Sequence, residues 1–193
     1  MKLFRLIFIV VVGIFLIQSQ ALCQAVEPGL GFSLPMPEDT KAREYLGLTS
    51  GKTFTLGQIR AEVVIVQIYS MYCPICQREV VDVNTMFNLT QENPALSDRI
   101  RFVGIGAGNS SYEVDFYKNK YDVRFPLFSD ADFSIHKQIK EVRTPHFYGL
   151  RLGKDNNYKV FYSKSGEVED PKIFLDTLLV LSGIDLSGTD IKK

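Results

Sequence analysis

The sequence predicts an α/β protein in which helices flank both faces of a mixed central β-sheet. Three observations carry this. Extended and helical patterns alternate along the chain, which implies parallel strands joined by crossover helices. The run from Val63 to Tyr69 is almost continuously apolar and rich in β-branched residues, as suits a strand buried on both faces. Near the C-terminus, two strand-like runs flank Lys154 to Asn157, a hairpin signal that adds an antiparallel edge.

The elements follow in order. Glu27 to Pro37 carries Pro and Gly at short intervals and reads as a linker with an edge strand around Phe32 to Leu34. Asp39 to Leu46 suits one or two helical turns ended by Gly47, and Thr53 to Leu56 a short extended piece before a turn at Gly57. After the Val63–Tyr69 strand a helix opens at Cys73 and Cys76, because Pro74 fits the first helical position, where its missing N–H costs nothing. Cys76, Val80, Val83 and Phe87 recur at helical spacing, and the pattern fades before Asn93 and Pro94. Arg101 to Ile105 is a second strand, and Gly104, Gly106 and Gly108 are expected to let its end turn sharply; their spacing is not that of a nucleotide fingerprint. Ser110 and Glu113 form a capping box for a helix to about Lys120, which Tyr112, Tyr117 and Tyr121 should pack. Phe125 to Phe128 is a short strand and Ala131 to Lys140 a helix, with Asp130 and Asp132 at its start rather than around a cation. Phe147 to Leu150 and Tyr158 to Tyr162 form the hairpin. Asp170 caps and Pro171 opens an apolar helix to about Leu181, stopped by Gly183.

The first residues differ from the rest. Lys2 and Arg5 precede an unbroken apolar run over residues 6–17, followed by a polar patch and then Ala21 to Cys23. This three-part pattern is that of a secretory signal peptide. The run is shorter than the roughly 20 apolar residues that spanning usually takes, so a cleaved leader is favoured over a membrane anchor. Lipidation at Cys23 is disfavoured by Gln20 and Leu22. The division is therefore 1–23 signal peptide or anchor, 24–52 linker and N-terminal extension, 53–184 the folded domain, and 185–193 a tail. The expected location is periplasmic or otherwise extracytoplasmic. The chain has 22 basic and 22 acidic residues, which excludes an electrostatic grip on nucleic acid or an anionic bilayer.

Export makes the cysteines informative. Three are present, and one lies in the leader region, leaving Cys73 and Cys76 two residues apart. A gap that short removes little unfolded-state entropy, so the pair is poor as a staple and better suited to switching. Disulfide exchange needs a thiolate, a second thiol within reach of the mixed disulfide, and access for the partner. The N–H groups and dipole at a helix N-terminus lower a thiol pKa, so Cys73 is the expected exposed nucleophile. Cys76, one turn in, is the expected resolving thiol. A zinc site would need further donors of the right kind, and His136 and His146 make no Cys/His pair. Two thiolates with His146 could hold copper, against the plainer reading of an ordinary imidazole on a strand.

The segment from Val64 through Cys76, with Thr144-Pro145 about 70 residues on, resembles the thioredoxin-like superfamily. Phe102 to Gly106 and Phe125 to Asp130 are similar to its branch of periplasmic redoxins and peroxiredoxins, related to alkyl hydroperoxide reductase and thiol-specific antioxidant. The resemblance spans about Thr53 to Ile184. It implies a thioredoxin-like fold and a redox-active Cys73–Cys76 pair in which Cys73 attacks and Cys76 resolves. It also implies a cis Pro145 beside the disulfide, and backbone groups of Thr144 offered to an extended partner. Tyr72 and Pro74 complete the implied partner-binding set. Tyr72 stands where thioredoxins have tryptophan, Gln67 replaces their buried acid, and Pro74-Ile75 replaces their Gly-Pro. Proton transfer must then use water, another carboxylate or the thiols.

The leading functional expectation is an exported thiol–disulfide oxidoreductase acting on cysteine-containing proteins such as apocytochromes. It would be supplied by a membrane or periplasmic electron donor, without cofactor or metal. A thiol peroxidase using Cys76 is the alternative, but Tyr69 and Cys73 stand where peroxiredoxins place the activating proline and threonine, and only Arg143 is left to steady a thiolate. Copper delivery through His146 is the third.

Overall fold

The computed structural model describes residues 29–185; the leader, Cys23, the apolar run 6–17 and the tail beyond Asp185 lie outside the described residues. Two short strands, β1 (Leu34–Pro35) and β2 (Thr53–Phe54), pair antiparallel around helix α1 (Thr40–Leu46). Asp39 caps α1, and Gly47 ends it at φ +67°, a left-handed position that suits glycine. The main sheet is built from β3 (Val63–Tyr69), β4 (Ile100–Ala107), β5 (Leu127–Asp130), β6 (His146–Leu152) and β7 (Tyr158–Ser165). Helices α2 (Pro74–Glu92), α3 (Ser111–Lys120), α4 (Ser134–Gln138) and α5 (Pro171–Ser182) complete the chain.

The strand order is β5-β4-β3-β6-β7, with β3, β4 and β5 parallel and β6 and β7 antiparallel to their neighbours. Every residue of β3 is buried, as its apolar run requires of a central strand. Its side chains alternate between two cores. Val63, Ile65 and Tyr69 join Cys76, Val80, Val83 and Phe87 of α2, Tyr117 of α3 and Leu175, Leu178 and Leu179 of α5. Val64, Val66 and Ile68 face the other way, onto Leu30, Phe32, Leu34, Leu46 and Ile135. The sheet is thus mixed and covered on both faces, as the sequence pattern predicts.

Several expectations change in detail. The stretch read as linker sends Leu30, Phe32 and Leu34 into the second core, where burying each such side chain is worth about 1.5–3 kcal/mol. The helix expected over Ala131 to Lys140 contracts to α4. The Asp130 carboxylate takes the N–H groups of Ile135 and His136, and Phe133 adopts φ +59°. Asp130 and Asp132 therefore serve a helix start. Gly104 and Gly106 lie inside β4 rather than at a turn. A Cβ on Gly104 would come within 2.3 Å of Leu127, so these glycines serve close packing, and only Gly108 takes a left-handed φ. Tyr112 is 79% exposed and does not pack α3, whereas Tyr117 does. Among the described residues no helix is long and apolar enough to cross a membrane.

Candidate active site

The site forms where β3 ends and α2 begins. Cys73 is the N-cap of α2, in extended conformation, with Pro74 at the first helical position. Both cysteines are free thiols. Cys73 Sγ accepts the Cys76 N–H at 3.3 Å and lies 3.5 Å from the Thr144 carbonyl oxygen, to which the thiol donates. The Thr144–Pro145 peptide is cis, as the resemblance implies. Tyr72 and Pro74 are exposed, Cys73 and Thr144 half-buried and Pro145 buried. The fold thus brings the cysteines and the Thr144–Pro145 turn together.

The two thiols sit in opposite electrostatic settings. Burial pushes the Cys73 thiol up, but it is outweighed by the Cys76 thiol and N–H, the Thr144 side chain and the Ile75 N–H, and the thiol lies below its ordinary value. Cys76 is fully buried, and that burial, reinforced by the Cys73 sulfur, pushes its thiol up to about 12. One sulfur is poised to ionise. The other holds its proton.

Three residues that pattern reading misses shape the site. Asn109 Oδ1 accepts the Met71 N–H at 2.9 Å, and Gln77 Nε2 donates to the Met71 carbonyl at 2.6 Å. The loop before Cys73 is therefore held on both sides. Glu79 is 2% exposed and follows Cys76 by three residues, hence on the same side of α2. Its Oε1 accepts the Val168 N–H at 2.6 Å, and its Oε2 is buried without a partner. Burial pushes this carboxyl up to about 7 against the opposing Val168 hydrogen bond, with Glu167 and Asp82 adding to the rise. The signal for Glu79 was its position inside the Cys76–Val80–Val83 stripe, where a carboxylate has no business being solvated. For Asn109 and Gln77 only the tertiary structure supplies one.

Gln67, at the thioredoxin acid position, is buried on the same face with its Nε2 unpartnered. Tyr117 OH donates to the Cys76 carbonyl at 2.9 Å, and its ring lies 4.6 Å from that of Tyr69. Tyr72 OH, on the exposed rim, donates to Glu113 of the α3 capping box.

His146 is not brought to the thiols. It sits on β6 with its ring 4.4 Å from Tyr148, on the opposite face of the sheet, and its ring nitrogens meet the hydroxyls of Ser165 at 2.7 Å and Ser163 at 3.1 Å. Arg143 is exposed. Among the described residues no group of three or more His, Cys, Asp or Glu is disposed to hold a metal.

Comparison with known proteins bears on this arrangement. The fold is similar to that of a secreted Mycobacterium tuberculosis disulfide oxidoreductase homologous to E. coli DsbE (18% identity, 81% of this chain and 99% of that one, TM-score 0.54). It is also similar to StoA from Bacillus subtilis (16% identity, 65% and 88%, TM-score 0.50). A thioredoxin-like protein from Bacteroides caccae aligns at 15% identity over 77% of this chain and 47% of that one, TM-score 0.51. At these identities the likeness is one of fold. Comparison with curated proteins finds no match. Residues 32–168, most of the chain, match the family model described as AhpC/TSA family, and the chain belongs to that family.

Proposed function

We propose that the protein is an exported thiol–disulfide oxidoreductase that exchanges a Cys73–Cys76 dithiol with disulfides of cysteine-containing partner proteins. One observation carries the reading: a half-buried, acidified sulfur at a helix N-terminus with a protonated one buried a turn behind it. The Cys73 thiolate attacks one sulfur of the partner disulfide, forming a mixed disulfide and releasing the partner's other sulfur as thiolate. Cys76 then loses its proton and attacks Cys73 Sγ. The Cys73–Cys76 disulfide forms, the second partner sulfur leaves, and two electrons have passed to the partner. The reverse sequence oxidises a partner dithiol, and a separate dithiol donor in the envelope resets the pair.

The second step needs a base, because Cys76 is pushed up to about 12. Glu79 is the carboxylate on hand: buried, one turn on, with a free oxygen and a pKa near neutrality. It stands in for the acid that Gln67 replaces. Thr144 and Pro145 line the path of the partner chain, with Tyr72 and Pro74 on its rim. The division into leader 1–23, extension 24–52, domain 53–184 and tail belongs to this reading, as does a location outside the cytoplasm. The secreted character of the Mycobacterium tuberculosis relative supports that location.

A peroxidase at Cys76 is disfavoured by the burial and high pKa of that thiol, and copper delivery by the remoteness of His146. The test is trapping in envelope extracts. Cys76→Ser should accumulate mixed disulfides with partner proteins, while Cys73→Ser should not, and both should lose catalysed insulin reduction by dithiothreitol. Equal trapping by the two variants overturns the assigned roles.

A further inference from the structure

A groove of about 610 Å3 opens between β7 and the N-terminal half of α5. Its floor is aromatic. Phe147 and Tyr162 each set a ring edge-on to Phe174, at centroid distances of 5.3 and 5.5 Å. Its rim carries three carboxylates, Glu167, Glu169 and Asp170, against one ammonium group, Lys164. Arg78 reaches Glu167 from outside the groove at 3.5 Å, but both side chains are more than half exposed. Such a pair is held weakly in water and gives way to an incoming cation.

The groove adjoins the thiols. Gly166, in its lining, donates its N–H to the Pro145 carbonyl at 3.0 Å, and the neighbouring Thr144 carbonyl lies 3.5 Å from Cys73 Sγ. A chain disulfide-bonded to Cys73 and running past Pro145 reaches the groove within about three extended residues. An aromatic floor under an acidic rim accepts an apolar side chain beside a cation and repels one beside a carboxylate.

We infer that this groove seats the partner chain next to its reacting cysteine and selects segments in which a Lys or Arg adjoins an aromatic or aliphatic residue. The inference deepens the exchange reading and rests on it. The occupant is thus a basic, apolar-anchored segment of the partner protein, and the groove adds specificity to a reaction whose chemistry lies with Cys73, Cys76 and Glu79.

The experiment compares reduction of short disulfide peptides carrying Lys-Phe, Glu-Phe or Lys-Ala two to four residues from the cysteine. The small uncharged 2-hydroxyethyl disulfide, too short to reach the groove, is the control. At low salt the wild-type protein should show kcat/KM at least about tenfold higher for Lys-Phe than for either other peptide. Glu169→Lys should cut the charge preference severalfold and leave turnover of the small disulfide within about twofold; Asp170 is spared because it caps α5, and Glu167 because its charge acts on Glu79. Equal rates on the three peptides, or a charge preference unaltered by the substitution, overturn the inference while the exchange reading stands. Failure to turn over 2-hydroxyethyl disulfide at all overturns the exchange reading, and the groove's role falls with it.

Discussion

Two buried titratable groups on opposite faces of the central sheet, His146 and Glu79, meet opposite surroundings. On the face covered by residues 30–59 and by α4, His146 is buried with its ring nitrogens at hydrogen-bond distance from Ser165 and Ser163. On the face covered by α2 and α5, Gln67 Nε2, Tyr69 OH and Glu79 Oε2 are buried without partners. An unsatisfied buried group costs about 1–3 kcal/mol, so a face that keeps several is not optimised for stability alone. Cys76 lies among them. The contrast teaches where to look for chemistry: His146 has hydroxyl partners for both ring nitrogens, whereas Glu79 is left half-satisfied one turn from the Cys76 thiol.

The sharpest way to break this comparison is Glu79→Gln. If Glu79 is the base for Cys76, the resolving step should slow by about 10²–10⁴-fold, with the mixed disulfide accumulating in stopped-flow traces. In the wild type the step should accelerate as pH rises through about 7, where the carboxyl becomes a base, and that inflection should vanish in the variant. An unchanged rate and pH profile would reduce the lone oxygen of Glu79 to a packing defect.

Stability against pH separates the faces next. Glu79 is raised from 4.5 to about 7, so between those values the folded state keeps a proton that the unfolded state has lost. Its contribution is fully present below about 4.5 and is lost as pH rises through about 7. His146 is lowered by burial from 6.5 to about 4, so there the unfolded state holds the extra proton, and stability is lost as pH falls through that window. Each slope amounts to about 3 kcal/mol across its range. Between roughly 4.5 and 6.5 the two oppose and nearly cancel. Urea unfolding of Glu79→Gln should expose a stability that climbs from pH 4 to 6.5, and His146→Gln one that falls from pH 4.5 to 7. Two parallel, flat profiles would show that neither group is held as the structure indicates.

Much of this architecture is legible in the sequence where one local signal dominates. The β-branched run sets β3 at Val63–Tyr69, and Asp170, Pro171 and Gly183 bracket α5. Legibility fails where a tertiary partner intervenes. Asp130 draws backbone N–H groups to itself and shortens α4, and the alternation of Leu30, Phe32 and Leu34 is masked by the Gly and Pro around it. In the site, Cys73, Cys76, Thr144 and Pro145 stand out through motif and resemblance, and the fold sets them side by side. Glu79 is hidden because an acid on a helix is ordinarily solvated, and Asn109 because its contact with Met71 spans 38 residues.

The smallest effect concerns a polar contact on the reactive side that is not buried. Tyr72 OH donates to Glu113, which raises the phenol above its ordinary pKa and lowers the carboxyl below its own. Both groups meet water freely, so either can exchange the other for solvent at little cost. Tyr72→Phe keeps the ring as a surface for the partner and removes only the hydroxyl. Turnover of a disulfide peptide should therefore stay within about twofold of wild type, with an unchanged unfolding midpoint. A loss of tenfold or more would mean that the rim governs the reaction, and burial would no longer separate the polar groups that matter from those that do not.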